Sequence, residues 1–370
     1  MRWNKLAGIV LLSLSTGVVS AQITGGQYAF EYLRMSNSPH VSALGGITIA
    51  DPENDIAFAV QNPAMMRPGM HNQLDLDYNN YYAGITVANL QYGYNVPKLN
   101  TAFFVAVQYL NYGSVTQTDN VGNVLGTFTP SDYALTVGAA KSYGEHWRYG
   151  ADLKLAHSFL YSGSAAALVA DVGINYYDSV HHLDMGAVAK NMGTMVKNYT
   201  TGNSEPLPFD LQLGISKGLA HVPLKFFMTI HHLYEWDIRY DDRSSVSPTN
   251  VFGTSDTSKS TSNYFGDKLF RHFIFGAELN LAKRVTLTAS YNDLQRQELA
   301  VSTNPGLAGF AFGIGLHLNI LDVHYARDYY HVAGAYNELG ITIALNRMFG
   351  LGNFGEKVGW NKSYPEWGGE

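Results

Sequence analysis

The chain has 370 residues, of which 15% are charged, 13% are aromatic and none is cysteine, and its formal net charge is −6 at pH 7. A soluble exported enzyme of this size would carry about 25% charged residues, so the composition argues against that class. The lack of cysteine excludes disulfides and thiolate chemistry. Lysine and arginine are scattered singly without a basic stripe, and we therefore expect no binding of nucleic acid.

The N-terminus has the three parts of a secretory signal peptide in order. Arg2 and Lys5 precede an apolar run over residues 6–14, and Val-Ser-Ala follows at residues 19–21. We predict a signal peptide over residues 1–21, with Gln22 as the first mature residue. No later stretch reaches the roughly 20 uninterrupted apolar residues of a membrane helix, so we do not expect a helical membrane protein.

Residues 22–72 show no strand pattern. Their periodicity is mixed, and turn dipeptides occur at residues 51–52, 62–63 and 67–68. About fifty residues therefore precede the first predicted strand, and a wide barrel has room for them in its lumen. We predict a lumenal plug over residues 22–72, with a free periplasmic arm as the alternative. The glycine pairs in this segment lack the GK[ST] ending of a phosphate loop, so no nucleotide site is expected.

A two-residue alternation of apolar and polar side chains dominates residues 73–349. Its clearest copy is VTLTASYN at residues 285–292, where one face suits lipid and the other suits a polar lumen. Strands of about 9–11 residues cross a bilayer when tilted. We predict an all-β fold, a transmembrane antiparallel β-barrel of about fourteen strands. The predicted strands cover residues 73–79, 83–96, 100–112, 131–143, 147–160, 165–178, 181–191, 207–217, 223–236, 270–281, 284–294, 307–318, 321–330 and 337–349.

The links between these strands differ in length by parity. Links after even-numbered strands are short, whereas most links after odd-numbered strands are long and polar, with exceptions near Asn80 and Gly163. Outer-membrane barrels have short periplasmic turns and longer outer loops. We therefore expect the cell outer membrane as the location, extracellular loops at the long links and both termini in the periplasm. Residues 350–370 lack a strand period and are predicted to be a periplasmic tail.

Two histidine pairs invite a metal-site interpretation, at residues 181–182 and 231–232. Adjacent residues on a strand face opposite sides, so neither pair is expected to chelate one ion. No HExxH motif and no GxSxG elbow is present in the sequence. We expect no metal, no cofactor and no enzymatic activity.

Four carboxylates are predicted to face the lumen: Asp152, Asp171, Asp210 and Glu278. An acid/base pair for catalysis is one interpretation, and ion pairs lining the lumen are the simpler one. Lys154 lies two residues from Asp152, on the same face, and is predicted to pair with Asp171 on the neighbouring strand.

Two segments of the predicted plug carry a family resemblance. Residues 42–51 (SALGGITIAD) and 57–65 (AFAVQNPAM) resemble the N-terminal hatch of the FadL-type long-chain fatty acid channels. The resemblance implies a FadL-like barrel of fourteen strands, and it marks as hatch residues Gly45, Gly46, Asp51, Asn62, Pro63 and Ala64. It also implies an alternative function, a channel for hydrophobic or small molecules.

A second resemblance covers nearly the whole mature chain. Residues 25–33 (GGQYAFEYL), 206–212 (PLPFDLQ) and 231–237 (HHLYEWD) are similar to the PorQ family of the bacterial type IX secretion system. This implies a non-enzymatic barrel of the attachment complex, which holds a PorZ-like surface protein beside the PorU sortase and the PorV barrel. That complex joins cargo to anionic lipopolysaccharide, so the implied partners include outer-membrane lipid and lipopolysaccharide.

The longest predicted outer link, residues 237–269, is rich in Ser, Thr, Asp and Asn. Such a loop is either a solvated cover or a docking surface that orders on binding. With the family resemblance we favour docking, and the candidate docking residues are Asp237, Tyr240, Tyr264 and Phe265.

Overall fold

The computed structural model describes residues 28–349, apart from residue 162 and residues 201–204, 239–263, 282–283, 300–305 and 332–333. The predicted signal peptide at residues 1–21, the first six residues of the predicted plug and the predicted tail at residues 350–370 lie outside the described residues. Among the described helices, none is both long enough and apolar enough to cross a membrane.

Fourteen strands close into one antiparallel barrel, as predicted. They pair in chain order, and the first strand closes the ring against the last, with Gln73 opposite Ala344 and Asn80 opposite Asn337. Two further strands, β4 and β5, form a separate hairpin between β3 and β6. The strands are β1 Gln73–Asn80, β2 Thr86–Val96, β3 Thr101–Asn111, β4 Val115–Thr118, β5 Val124–Phe128, β6 Ser131–Tyr143, β7 Trp147–Leu160, β8 Gly163–Asp178, β9 Leu183–Lys197, β10 Asp210–Gly218, β11 Leu224–Ile230, β12 Phe273–Leu281, β13 Val285–Asn292, β14 Phe310–His317, β15 Leu321–His331 and β16 Gly334–Ala344.

The wall has an apolar outer face and a polar inner face. On β7, Leu153 and Leu155 are 59% and 45% exposed, whereas Asp152 and Lys154 between and beside them are both 3% exposed. This is the reverse of the pattern in a water-soluble protein and is typical of a barrel whose outside meets hydrocarbon. The alternation therefore divides the side chains between lipid and lumen.

The two ends of the barrel differ in their links. At one end, here called the short-link end, turns of three to five residues join β2 to β3, β6 to β7 and β10 to β11. The opposite, long-link end carries the connection between β11 and β12 and the one that contains β4 and β5. A long polar link between the last two strands, at about residues 329–336, is also expected from the parity of the links. That prediction is wrong, because β15 and β16 stay paired to His331 and Gly334 across a register shift.

The last predicted strand is also too long. The prediction runs to residue 349, but β16 ends at Ala344 and Leu345–Met348 form a short helix. The pairing with the β1 side extends one position past β16, since the Leu345 amide donates to the Asn72 carbonyl at 2.9 Å in the same register, and the chain then turns into the helix. This bond joins the end of the wall to the end of the segment that precedes β1.

Residues 28–72 form a plug inside the barrel. The plug contains helices α1 Pro39–Ala43 and α2 Ala57–Gln61 and three 3₁₀ turns, Glu31–Arg34, Pro63–Met65 and Pro68–Met70. Helix α1 contacts β13 to β16, the Pro63–Met65 turn contacts β6 to β8, and the Pro68–Met70 turn contacts β2. Contacts on opposite sides of the wall place this segment in the lumen. Outside the plug, the wall links carry helices α3 Tyr264–Phe270 and α4 Asp293–Leu299, and α5 is Leu345–Met348.

Candidate functional site: the plug and the two chambers beside it

The Asn-Pro-Ala part of the predicted hatch forms a capped turn against the wall. The Asn62 side chain accepts a hydrogen bond from the Ala64 amide at 3.0 Å and donates one to the Ile49 carbonyl at 3.0 Å. Asparagine is a favoured N-cap and proline is favoured at the first position of a helical turn. The motif therefore has a local structural reason, and it joins two parts of the plug.

Wall glycines allow this turn to approach the sheet closely. A β-carbon added at Gly150 on β7 would lie 2.5 Å from the Pro63 carbonyl carbon, and one added at Gly186 on β9 would clash with the Ile49 carbonyl oxygen. Any larger side chain at either position would push the plug away from the wall. These glycines are therefore part of the surface on which the plug rests.

Gly45 and Gly46 end helix α1 in the left-handed region, with φ of +90° and +88°. The Gly46 amide donates to the Val41 carbonyl at 3.0 Å, as expected for a glycine that terminates a helix. The Gly45 carbonyl accepts from the Asn292 side chain on β13 at 3.2 Å. The glycine pair therefore turns the chain and attaches it to the wall.

Asp51, the remaining predicted hatch residue, belongs to a buried charge cluster. The Lys225 ammonium on β11 lies 2.7 Å from the Asp51 carboxylate, 2.9 Å from Glu53 and 3.0 Å from Glu278 on β12. Lys225 is 5% exposed, and Asp51 and Glu278 are fully buried. One wall lysine thus holds two carboxylates of the plug and one of the wall.

His40 on helix α1 continues this cluster. Its Nδ1 lies 2.8 Å from Asp55 Oδ2, and its Nε2 lies 3.5 Å from Glu278 Oε2 and 4.0 Å from Glu53 Oε2. Burial lowers the pKa of His40, but the hydrogen bonds to Asp55 and Glu278 outweigh it and raise this pKa well above its usual value. The cluster therefore favours a positive charge at His40.

The other predicted lumenal carboxylates lie elsewhere on the inner wall. Lys154 Nζ is 2.5 Å from Asp171 Oδ2, which confirms the predicted pair. Asp152 lies opposite Asp171 in the sheet, while Asp210 accepts from the His232 amide at 2.7 Å. Glu278 is in the Lys225 cluster. The four carboxylates do not converge on one site.

The strand argument about the histidine pairs is wrong, because neither pair lies on a strand. Strand β11 ends at Ile230, before His231 and His232, and β9 begins at Leu183, after His181 and His182. His232 has a φ of +55°, and its Nδ1 lies 2.6 Å from Nδ1 of His231. Burial lowers the pKa of both His231 and His232 to about 3. This pair is therefore neutral at physiological pH.

A polar chamber of about 690 Å³ lies at the short-link end. The plug residues His40, Glu53 and Asp55 face it, as does His324 on β15. The wall and its turns contribute further polar lining residues: Gln73, Asn280, Arg284, His317, Asp322 and Arg347. The chamber gives solvent and small ions access to the charged side of the plug.

A second chamber, of about 630 Å³, lies at the long-link end and is richer in apolar and aromatic groups. Half of its lining residues are nevertheless polar or charged, among them Arg34, Lys190, Asp210, His231 and Asp328. The apolar and aromatic lining is formed by Tyr28, Tyr32, Leu33, Met35, Ile47, Tyr81, Ile85, Leu110, Tyr112, Tyr234, Ile238, Leu294 and Tyr336. A volume of this order holds a small organic molecule.

The candidate docking residues are only partly within the described residues. Tyr240 lies outside them, and Tyr264 begins helix α3. The Asp237 carboxylate is 2.7 Å from Lys268, and the rings of Trp236 and Phe265 are 5.3 Å apart, with Phe265 66% exposed. The two ends of this link thus meet at the mouth of the barrel.

Several residues of the charge cluster were not predicted, namely His40, Glu53, Asp55 and Lys225. Lys225 had a sequence signal, since it lies in the strand LKFFMTI at a position that the alternation directs inward. The plug residues had none, because no periodicity in residues 28–72 indicates which side chains meet the wall.

Comparison with known proteins gives the fold. No family model matches the sequence, and no curated protein matches it. The TodX monoaromatic hydrocarbon channel, as its deltaS2 mutant, is similar over 84% of this chain and 98% of that one, with 13% identity and a TM-score of 0.51. Two other solved structures are the toluene transporter TbuX of Ralstonia pickettii (12% identity, 84% and 98% covered, TM-score 0.48) and a FadL homologue of Pseudomonas aeruginosa (11%, 79% and 94%, 0.42). The likeness to TodX establishes a shared outer-membrane barrel fold.

Proposed function

We propose that this protein is an outer-membrane channel that takes small hydrophobic molecules into its long-link chamber. The observation that carries the proposal is the chamber itself, about 630 Å³ between the plug and the long links, whose exposed surface is mostly apolar although half of its lining residues are polar or charged. Ligand sites of this kind combine an apolar lining with a few polar groups that orient the ligand. The shared fold with a hydrocarbon channel supports this proposal over the attachment role implied by the PorQ resemblance.

In this proposal the long-link end faces the outside of the cell and the short-link end faces the periplasm. The predicted signal peptide and the parity of the link lengths support this orientation. The plug touches the wall on opposite sides, which suits a selective route better than free diffusion through an open lumen.

Ligand binding to the purified full-length protein tests the proposal. Naphthalene and laurate are suitable probes. Met35 lines the chamber, and Met35→Trp should fill part of the space and lower the affinity for both probes at least tenfold. Leu99→Trp is the matched control, since Leu99 is 57% exposed in a turn at the other end. Equal binding by both variants, or no binding by the natural protein, would refute the channel.

A second candidate is an anchor in the type IX attachment complex, and one observation favours it. The three segments that resemble the PorQ family meet at the mouth of the long-link end. The Ala29 amide donates to the Pro206 carbonyl at 3.0 Å, the hydroxyls of Tyr28 and Tyr234 are 3.3 Å apart, and the rings of Phe209 and Tyr234 are 5.2 Å apart. Segments far apart in sequence thus form one surface, here called the mouth cluster, beside the long link at residues 231–272.

Partner retention in cells tests the anchor. Deletion of residues 244–262, combined with Trp236→Ala beside the mouth cluster, should release a PorZ-like surface protein into the medium without lowering the amount of barrel in the membrane. Deletion of residues 119–122, at the tip of the β4–β5 hairpin, is the control. Gentle detergent extraction should also co-purify the PorU and PorV partners. Unchanged retention in the loop variant would contradict the anchor while leaving the channel proposal untouched.

A further inference from the structure

Three potential metal-ligand atoms converge between the plug and the wall. His40 Nε2 lies 3.5 Å from Glu278 Oε2 and 4.0 Å from Glu53 Oε2. Ligand atoms bound to one tetrahedral Zn²⁺ at about 2.0–2.1 Å lie roughly 3.3 Å apart. The observed spacing thus needs only small side-chain movements to receive an ion.

The other polar atom of each of these three side chains already has a partner. Asp55 Oδ2 lies 2.8 Å from His40 Nδ1, and Lys225 Nζ lies 2.9 Å from Glu53 Oε1 and 3.0 Å from Glu278 Oε1. Metal-binding histidines commonly donate their second ring N–H to a carboxylate, and ligating carboxylates are themselves hydrogen-bonded. Asp55 and Lys225 therefore orient the three converging atoms.

His324 on β15 provides an independent observation. Its ring is stacked on His40, with centroids 4.7 Å apart, and the residue is only 7% exposed. Within the described part of the chain no hydrogen bond to this ring is found, although it faces the polar chamber. A ring nitrogen of His324 lies within 4.8 Å of ligand atoms of both His40 and Asp55. This buried imidazole thus has no hydrogen-bond partner among the described residues and lies next to the cluster. Because an imidazole binds a metal in the plane of its ring, the His324 ring must rotate out of the stack on His40 before both can bind one ion.

The group carries more negative than positive charge, which favours the binding of a cation. Asp51, Glu53, Asp55 and Glu278 bring four carboxylates against the single ammonium of Lys225. Even a proton on His40 leaves negative charge in excess within this group, and buried charge is costly unless it is compensated. A divalent ion in place of that proton would reduce the excess.

We propose that His40, Glu53 and Glu278 bind one divalent transition-metal cation, with His324 as the fourth ligand once its ring has rotated out of the stack, and with Asp55 and Lys225 as positioning residues. Two imidazoles and two carboxylates without a thiolate suit Zn²⁺ and its first-row neighbours better than Mg²⁺ or Ca²⁺. Two ligands come from the plug and two from the wall, on β12 and β15. The ion therefore ties the plug to the wall and is reached from the short-link chamber.

Zinc binding to the metal-free full-length protein tests the site. We expect about one Zn²⁺ per chain by calorimetry and elemental analysis. Glu53→Gln and His324→Gln should weaken binding by more than 100-fold, and Asp55→Asn by about 10–100-fold, as is typical of outer partners. His181→Gln, an exposed histidine in a distant turn, is the matched control and should bind like the natural protein.

Equal zinc binding by the natural protein, Glu53→Gln and His324→Gln would mean adventitious binding and overturn the site, as would no binding at all. The heat-dependent shift in gel mobility shows whether each variant still folds as a barrel. If the variants fail to fold, X-ray absorption of the zinc-loaded natural protein decides. Scattering from two imidazoles and two oxygen ligands supports the site, and any other ligand set overturns it.

Discussion

At the residue scale, Lys225 joins the wall to the plug through three carboxylates. Its ammonium lies within 3.0 Å of the carboxylates of Asp51, Glu53 and Glu278, and it is 5% exposed. The buried ammonium and the buried carboxylates thus compensate one another's charge. Removing one partner of such a group leaves uncompensated charge, which is more costly than the net gain from the group itself.

Lys225→Met should therefore lower the free energy of unfolding by about 3–5 kcal/mol. Equilibrium unfolding in urea, followed by gel mobility in lipid vesicles, measures this change. Lys98→Met is the control, because Lys98 is exposed in the turn between β2 and β3, and it should change stability by no more than about 0.5 kcal/mol. Equal midpoints for the two variants would show that the cluster does not hold the plug.

Because His231 and His232 are neutral in the folded protein, we expect its stability to depend on pH. The folded-state pKa of each is about 3 because of burial, whereas an unfolded histidine has a pKa of about 6.5. As the pH falls from about 6.5 towards 3, the unfolded state takes up protons that the folded state refuses, so stability is lost over that window.

Replacing His232 with Gln should flatten the loss of stability between pH 7 and pH 4, because one of these unequal titrations is removed. Unfolding midpoints at several pH values give the slope for each protein. His181→Gln, at an exposed side chain, should keep the natural slope. A His232→Gln variant with the natural slope would argue against burial of a neutral pair.

The sequence could predict some of these residue contacts. Lys154 and Asp171 both lie on regular strands, so the two-residue period places them on the inner face and their pairing follows. Lys225 lies on a strand too, but its partners Asp51 and Glu53 come from a segment about 170 residues earlier with no period to orient them. The charge cluster could therefore be identified only from the three-dimensional structure.

At the element scale, the strands were predictable and their ends were less so. Alternation indicates that a strand exists and which way its side chains face, but it does not mark the strand's end. Strand β16 gives way to a short helix at Leu345, and β11 ends before His232, which has a left-handed backbone. Both ends fall at positions where the local pattern still favours a strand. The pattern also missed the short link between β15 and β16, where continued strand pairing takes the place of the predicted loop.

The β4–β5 hairpin is an element that the wall does not need. Asn111 of β3 already pairs with Ser131 of β6, and the Tyr112 amide donates to the Pro130 carbonyl at 3.2 Å. Replacing residues 114–128 with a short glycine-asparagine linker should leave the unfolding free energy within about 0.5 kcal/mol of the natural value. Urea unfolding measures it, and failure of the shortened chain to insert would show that the hairpin supports the barrel.

At the scale of the whole molecule, the defining feature is a barrel wall with an apolar outer face and a polar inner face. Fourteen strands with apolar outer faces were predicted from alternation and link length, and the closed barrel confirms this. How the plug meets the inner wall was not predictable in detail, because it depends on glycines such as Gly150 and Gly186 that look unremarkable in a strand. Close backbone approach is visible only in three dimensions.

Because the plug fills the lumen, we expect it to block the flow of ions through the barrel. A chain lacking residues 28–70 should form a conducting pore in planar bilayers, because a barrel of about fourteen strands is too wide for its own side chains to fill. The full-length protein is the control and should pass far less current. Gel mobility should first show that the shortened chain folds. A folded but silent barrel would mean that the wall or its links, and not the plug, close the lumen.

The pairing of β1 with β16 also sets an order of events in biogenesis. The plug segment precedes every strand in the sequence, yet the ring is complete only when the final strand, β16, pairs with Gln73–Asn80. Until then two strand edges would face hydrocarbon with unpaired amides, which a bilayer does not tolerate. We therefore expect closure in the bilayer to wait for β16, so that the wall closes around a plug that lies ahead of it in the sequence.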